Sequence, residues 1–167
     1  MSIHQNNDTI IQVVNGFTDN QAVSSVDDYG MLNFVISKEQ VVTVIQQLRD
    51  NYGFIFLTDL CGAHYPERKG SEFEVIYHLH NLVENHRIRV RVYLSEDDLN
   101  IPSMVQVYAG ANWMERETFD FYGINFIGHP NLRRILNMDE MDYHPLRKQY
   151  ALEDETRDDK NNTFFGR

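Results

Sequence analysis

The run E-F-E-V-I-Y-H-L-H-N-L-V-E-N-H-R-I-R-V-R-V-Y-L, residues 72 to 94, alternates with a period of two on both sides of a short connector. Phe73, Val75, Tyr77 and Leu79 share one face of the first half; Glu72, Glu74, Ile76, His78 and His80 share the other. In the second half Ile88, Val90, Val92 and Leu94 stand opposite Arg87, Arg89, Arg91 and Tyr93. Successive side chains of a strand point to opposite faces, so two half-buried strands are predicted, joined through Glu84-Asn85 as an antiparallel hairpin. On its outer face Glu72 and Glu74 are expected near the three arginines, a cross-strand charge match that helps to fix register.

Working outward toward the N-terminus, Phe54 to Leu57 is a short apolar run of the kind expected in a central strand, followed by a loop from Asp59 to Gly70 that contains Cys61, His64 and Pro66. Before it lies the clearest helix. Val41, Val42, Val44, Ile45 and Leu48 form one apolar stripe, Ser37 with Gln40 has the spacing of a capping box, and Gly53 is placed to end it. Residues 21 to 36 read as two short strands around Asp28-Tyr29-Gly30, and residues 8 to 16 as a short helix with Asp8 as N-cap. The fold class is α+β: an antiparallel or mixed sheet flanked by helices.

Beyond Asp97-Asp98 the character changes. Pro102-Ser103 starts a brief helical turn through Val105 and Val107. Asn112 with Glu115 suggests a second capping box, and a helix is expected to run to Tyr122 and close at Gly123. Glu115 and Glu117 in its first turn would complement the helix dipole. Arg116 and Asp120 are spaced i,i+4 with the cation first, the weaker orientation, so local helix physics leaves them unexplained. Two similar phrases follow, His129-Pro130-Asn131-Leu132-Arg133-Arg134 and His144-Pro145-Leu146-Arg147-Lys148, with Asp139, Glu140 and Asp142 between them. The chain thus divides into an α+β domain over 1–110, a helix and Arg-rich docking arm over 111–150, and a flexible or partner-docked tail over 151–167. Phe164 and Phe165 in that tail would suit a partner.

Composition narrows the function classes. At 167 residues, 42% hydrophobic and 24% charged, the chain has the make-up of one ordinary globular domain. Its formal charge of −10 opposes nucleic acid and anionic lipid as primary partners. No run approaches the roughly 20 apolar residues of a membrane span, and the opening residues do not read as a secretory signal. A single cysteine, Cys61, excludes an internal disulfide and an iron–sulfur cluster held by this chain's thiolates alone.

Cys61 with His64, and His78 with His80, have ligand-like spacings, but a structural zinc site needs four ligands in recognisable pairs. No nucleophile elbow surrounds Cys61, and there is no Gly-rich phosphate loop. Each of Glu115, Glu117 and Asp120 has an arginine close by in sequence, which suits an ion pair better than a proton shuttle. Three readings of Arg133, Arg134, Arg147 and Lys148 remain: an anion site, internal pairing with Asp139, Glu140, Asp142 and the helix acids, or a protein interface anchored by arginines and aromatics. The unpartnered look of Arg116 and Asp120 favours the interface, with counter-ions supplied by other polypeptides.

The run E-R-E-T-F-D-F-Y-G-I-N-F-I-G-H-P-N-L-R-R-I-L (115–136), followed by H-P-L-R-K (144–148), strongly resembles the signature of the C-subunit family of the proton-pumping NADH:quinone oxidoreductase, respiratory complex I. The resemblance extends upstream through L-T-D-L-C-G-A-H-Y and the hairpin, over nearly all of residues 30 to 150. The family pattern falls on Glu115, Arg116, Glu117, Phe119, Asp120, Phe121, Tyr122, Gly123 and Ile124, then on Gly128, His129, Pro130, Leu132, Arg133, Arg134 and Ile135. His144, Pro145, Arg147 and Lys148 complete it. Gln149, Tyr150 and Ala151 depart from the usual acid, aromatic and proline, and Met141 stands where Trp is common.

The resemblance implies a cofactor-free structural subunit of the hydrophilic, quinone-reducing module. It would lie on the cytoplasmic side of the cell membrane and be held there through its partners. Those partners would chiefly be the D subunit and the B and I iron–sulfur subunits, with FMN and the iron–sulfur clusters in partner chains. The end at Arg167 resembles the separate protein and not the form fused to the D subunit. Two rivals remain: the equivalent module of a related membrane-bound hydrogenase or dehydrogenase, and a free-standing enzyme using Cys61.

Overall fold

The computed structural model describes residues 7–150, so residues 1–6 and the expected tail at 151–167, with Phe164 and Phe165, lie outside the described residues. Helix α1 (Asn7–Phe17) precedes strands β1 (Val23–Val26) and β2 (Leu32–Val35). Helix α2 (Val41–Tyr52) is followed by β3 (Phe56–His64) and by the hairpin β4 (Phe73–Asn81) and β5 (His86–Leu94). Then come β6 (Asn100–Pro102), helix α3 (Ala111–Tyr122) and β7 (Asn125–Ile127).

The hairpin forms as its alternation predicts, in unbroken antiparallel register from Phe73↔Leu94 to Asn81↔His86. Around it the sheet runs β1-β2-β5-β4-β3, and it is mixed because β2 lies parallel to β5. The face carrying Phe73, Val75, Tyr77, Leu79, Ile88, Val90, Val92 and Leu94 is buried, and it shares one apolar cluster with the inner stripes of α1, α2 and α3. Burying side chains of this size contributes about 1.5–3 kcal/mol each, which makes this layer the main source of stability. On the opposite face Arg91 grips Glu74, which is fully buried beneath it, and Arg89 donates to Asn33 and His78. Glu72 departs from expectation: it turns away from the arginines and accepts from the backbone N–H groups of Gly70 and Glu96.

Several local expectations are corrected. Ser37 and Gln40 do not cap α2. The Gln40 N–H bonds the Ser37 carbonyl in a separate turn, so the helix starts only at Val41, without a side-chain cap. Gly53 ends α2 as predicted, in the left-handed region at φ 74°, where a side chain would be strained. The run Phe54–Leu57 does not belong to a central strand. β3 is the edge of the sheet, and it continues to His64 through what reads as a loop, after a bulge between Leu57 and Asp59. The bulge slips the alternation by one residue, which hides the strand from a period-two reading. Strands β6 and β7 pair in parallel as a separate two-stranded ribbon that the sequence did not announce, because three residues are too few to show a period.

Candidate docking arm around the end of helix α3

Helix α3 begins after Gly110, so Asn112 lies inside its first turn and makes no capping box. Its close seat on the sheet explains a glycine in mid-strand: a Cβ on Gly62 would lie 2.8 Å from the Tyr122 ring and 3.0 Å from Thr118 Cγ2. Two carboxylates on α3, Glu115 and Asp120, are both fully buried, and the structure treats them in opposite ways.

Glu115 reaches back to the turn after β6. Ser103 Oγ lies 2.6 Å from Oε2, and the Met104 N–H donates to Oε1 at 2.5 Å. Burial dominates and pushes its carboxyl up to about 7, against the pull of these two bonds. The expected contribution of Glu115 and Glu117 to the helix dipole is therefore corrected: neither lies in the first turn, Glu115 is spent on the core and Glu117 is exposed.

Asp120 sits in a nest of donors. Oδ2 accepts from the backbone N–H groups of Ile135, Leu136 and Asn137 at 3.0, 2.8 and 2.9 Å. Oδ1 accepts from Arg134 Nη1 at 2.7 Å and from Asn137 Nδ2 at 3.1 Å. Burial alone would raise its carboxyl, but the three N–H donors and the Arg134 guanidinium together hold it well below the usual carboxylate range. The expectation that its counter-ion comes from another polypeptide is corrected, since the partner is Arg134 of the same chain. Arg116 is likewise satisfied internally, donating to the carbonyls of Arg133 and Arg134 at 3.2 and 3.0 Å.

The two His-Pro phrases have a shared purpose that their spacing did not reveal. The last carbonyls of a helix have no partner within it and carry its negative dipole end. Gly123, at φ 76°, returns its N–H to the Phe119 carbonyl at 2.8 Å. Arg134 Nη1 and His144 Nδ1 reach the Asp120 carbonyl at 3.0 and 2.9 Å. The Leu146 N–H takes the Phe121 carbonyl at 3.2 Å, and Arg147 Nε takes that of Tyr122 at 2.8 Å. Residues 128–150 therefore wrap the C-terminal end of α3 as an extended cap with two guanidinium groups in it. Arg134 closes the wrap by donating from Nη2 to the carbonyls of Met141 and Tyr143 at 2.7 and 2.9 Å.

The remaining sites fall into place around this cap. His129 contacts the Asn112 carbonyl through Nε2 at 3.0 Å and accepts the Asn131 N–H on Nδ1, which orients the first phrase across α3. Arg147 also lies over the Phe73 ring, 5.0 Å from its centroid. The Lys148 N–H donates to His64 Nδ1 at 2.9 Å, tying the arm to the end of β3. Pairing of the arm cations with Asp139, Glu140 and Asp142 is not what forms. Arg134 takes Asp120, Arg147 comes to 4.0 Å from Glu96, and all three acids are exposed. Arg133, Pro130 and Lys148 are exposed as well, while Pro145 is half-buried. Outside the cap stands an apolar surface: Leu136 is 66% and Met138 69% exposed, with Tyr143, Leu146 and Tyr150 also accessible, and Trp113 on α3 61% exposed.

The surroundings of Cys61 disfavour its thiolate. Burial first, then the neighbouring Asp59 carboxylate, pushes its thiol up to about 11, so little thiolate exists near neutral pH. Cys61 and His64, an odd number of residues apart on β3, fall on opposite faces of the sheet. His78 Nε2 is occupied by Arg89 at 2.9 Å. Among the described residues, no three His, Cys, Asp or Glu side chains converge as a metal site would need. Among them too, no helix is long and apolar enough to cross a membrane.

Residues 34–156 match the family model described as respiratory-chain NADH dehydrogenase, 30 Kd subunit. Similar curated proteins include the C subunit of the NADH-quinone oxidoreductase of Rhizobium rhizogenes, 45% identical over 76% of this chain and 64% of the relative. That of Phenylobacterium zucineum is also 45% identical, over 74% of this chain and 58% of the relative. The chain therefore spans about three fifths of the length of these relatives. Among solved structures, a trypsin-resistant fragment (1–134) of Nqo5 is similar with a TM-score of 0.65 and 30% identity, covering 72% of this chain and 97% of the fragment. A chain of the archaeal membrane-bound sulfane sulfur reductase shares the fold, with a TM-score of 0.75 at 19% identity over 89% of this chain and 87% of that one.

Proposed function

Because this chain belongs to the respiratory-chain NADH dehydrogenase 30 Kd subunit family, we propose that it is a cofactor-free positioning subunit of the hydrophilic arm of a proton-pumping NADH:quinone oxidoreductase. In this reading it supports electron transfer from NADH through iron–sulfur clusters to quinone by holding the chains that carry those groups. Its neighbours would be chiefly the D subunit and the B and I iron–sulfur subunits. It would sit on the cytoplasmic side of the membrane, attached through them, and its acidic charge disfavours nucleic acid as a partner.

One observation carries the reading. The signature's charged side chains are largely consumed in building the arm, while the arm turns Leu136, Met138, Tyr143 and Tyr150 outward. Exposed apolar side chains gathered on one element, with exposed Arg133 and Lys148 beside them, suit the apolar centre and polar rim of a protein interface. The signature then acts one step removed: Asp120, Arg134 and Arg116 shape the surface that neighbours grip.

The test is a paired substitution, Leu136→Asp with Met138→Asp, in the intact organism. Less of the assembled complex is expected, with NADH:quinone activity falling in proportion and the isolated chain still folded. A variant complex that assembles in full and loses only quinone reduction would contradict the reading.

A further inference from the structure

A second surface borders the arm, meeting it at Leu146. β3 is an edge strand, and among the described residues no main-chain group other than those of β4 bonds to its backbone between Phe56 and Ala63. Its outer side is bordered by two hollows that follow one another along the strand. The first, about 310 Å³, is lined by Ile55, Phe56 and Leu57 with Val107, Tyr108 and Gly110. The second, about 300 Å³, is lined by Asp59, Cys61 and Gly62 with Glu117, Phe121 and Leu146. They flank residues 55–57 and 59–62 of the chain, with the bulge between them.

A sheet edge bare of partners invites pairing, and proteins usually blunt it with charge or a bulge. This edge has both devices near Asp59, yet it also leaves Ile55 59% and Phe56 47% exposed, which protection alone does not require. The second hollow is lined by apolar Phe121 and Leu146 and by two carboxylates, Glu117 and Asp59, the latter 3.8 Å from His78 Nδ1. That pairing selects against a second copy of a chain with charge −10 and for an occupant with a cation at this point.

We propose that the outer edge of β3 docks an extended segment of a different polypeptide by strand addition. Main-chain bonds to β3 supply affinity, while apolar side chains at alternate positions enter the two hollows. A lysine or arginine of the segment lies between Asp59 and Glu117. This inference rests on the chain working inside a multisubunit assembly, but the strand edge it names lies outside residues 128–150.

A photo-crosslinking amino acid placed at the exposed Thr58, and separately at Leu136, tests it in the purified native complex, with the joined peptides identified by mass spectrometry. At Thr58 the expected product joins this chain to one segment of a non-identical subunit, with apolar residues alternating around a cation. Asp59→Lys with Glu117→Lys is expected to lower that product at least about tenfold and to leave the Leu136 product unchanged. Products at Thr58 that lie within this chain, join two copies of it or are missing while Leu136 still crosslinks would overturn the edge proposal alone. Missing products at Leu136 with those at Thr58 intact would overturn the arm reading alone. A chain that does not co-purify with the complex overturns both.

Discussion

The five-stranded sheet and the arm that wraps α3 are stabilised by different forces. In the sheet, Leu32, Phe34, Phe73, Val75, Tyr77, Val90 and Val92 are fully buried, so burial of apolar area sets its stability. From Gly128 to Tyr150 the described residues contain no fully buried apolar side chain; Leu132 is the one partly buried residue there that packs on the core. This segment is held by Asp120, Arg134, Arg116 and Arg147 bonding main-chain groups. Apolar burial tolerates volume-conserving exchange, whereas a bonded charge loses its role when either partner goes.

The largest expected effect follows from that difference. Asp120→Ala removes the counter-ion of Arg134, leaving it only main-chain carbonyls, and unpairs three N–H groups, so it should cost on the order of 3–5 kcal/mol. The loss should be confined to the arm: limited proteolysis should cut between Arg133 and Tyr150 while the sheet's circular dichroism persists. Cooperative loss of sheet and arm together would mean that the two regions are not separable.

The two buried carboxylates of α3 sharpen the comparison through pH. Folding raises the Glu115 carboxyl from 4.5 to about 7, so the native state binds more protons than the unfolded chain between those values. Stability therefore falls as pH rises through that window, by about 3 kcal/mol in total. Asp120 has the opposite sign: its carboxyl is depressed, so its contribution is present above the ordinary carboxylate range and lost as pH falls. Urea titrations from pH 4.5 to 7.5 on Glu115→Gln, subtracted from the parent, isolate the first effect. A difference that does not vary with pH would contradict it.

Gly123→Ala should come next, at about 1–2 kcal/mol. Its φ of 76° strains any side chain, and a Cβ there would lie 2.7 Å from Arg147 Nη2 and from the His144 ring. Gly128→Ala meets the same backbone strain at φ 85° with open space around it, so it should cost less. Equal losses in thermal melts of the two variants would show that the cap contacts add nothing. Smallest of all, Arg133→Ala on the exposed side should change stability by under about 0.5 kcal/mol while lowering the yield of assembled complex.

How much was legible follows the same division. The hairpin, α2 and both helix-ending glycines were readable because periodicity and the left-handed backbone leave local marks. β3 escapes a period-two reading because its bulge breaks the alternation and Gly62 interrupts it where α3 comes close. The arm residues were identified by their pattern, but their bonds were not. Asp120 and Arg134 are fourteen positions apart, and no local rule ties a helix carboxylate to the N–H groups of Ile135–Asn137. One signal was available: two His-Pro phrases with arginines just after a glycine-ended helix carry the cations and free N–H groups that its last carbonyls need.

The central claim is that the arm is built by this chain's own bonds before any partner arrives. Amide hydrogen exchange on the isolated chain tests it most directly, read at Ile135, Leu136, Asn137 and Leu146. Protection at all four, lost at the first three in Asp120→Ala while β4 and β5 stay protected, is the predicted result. Exchange at the rate of an unstructured chain in the unmodified protein would contradict it.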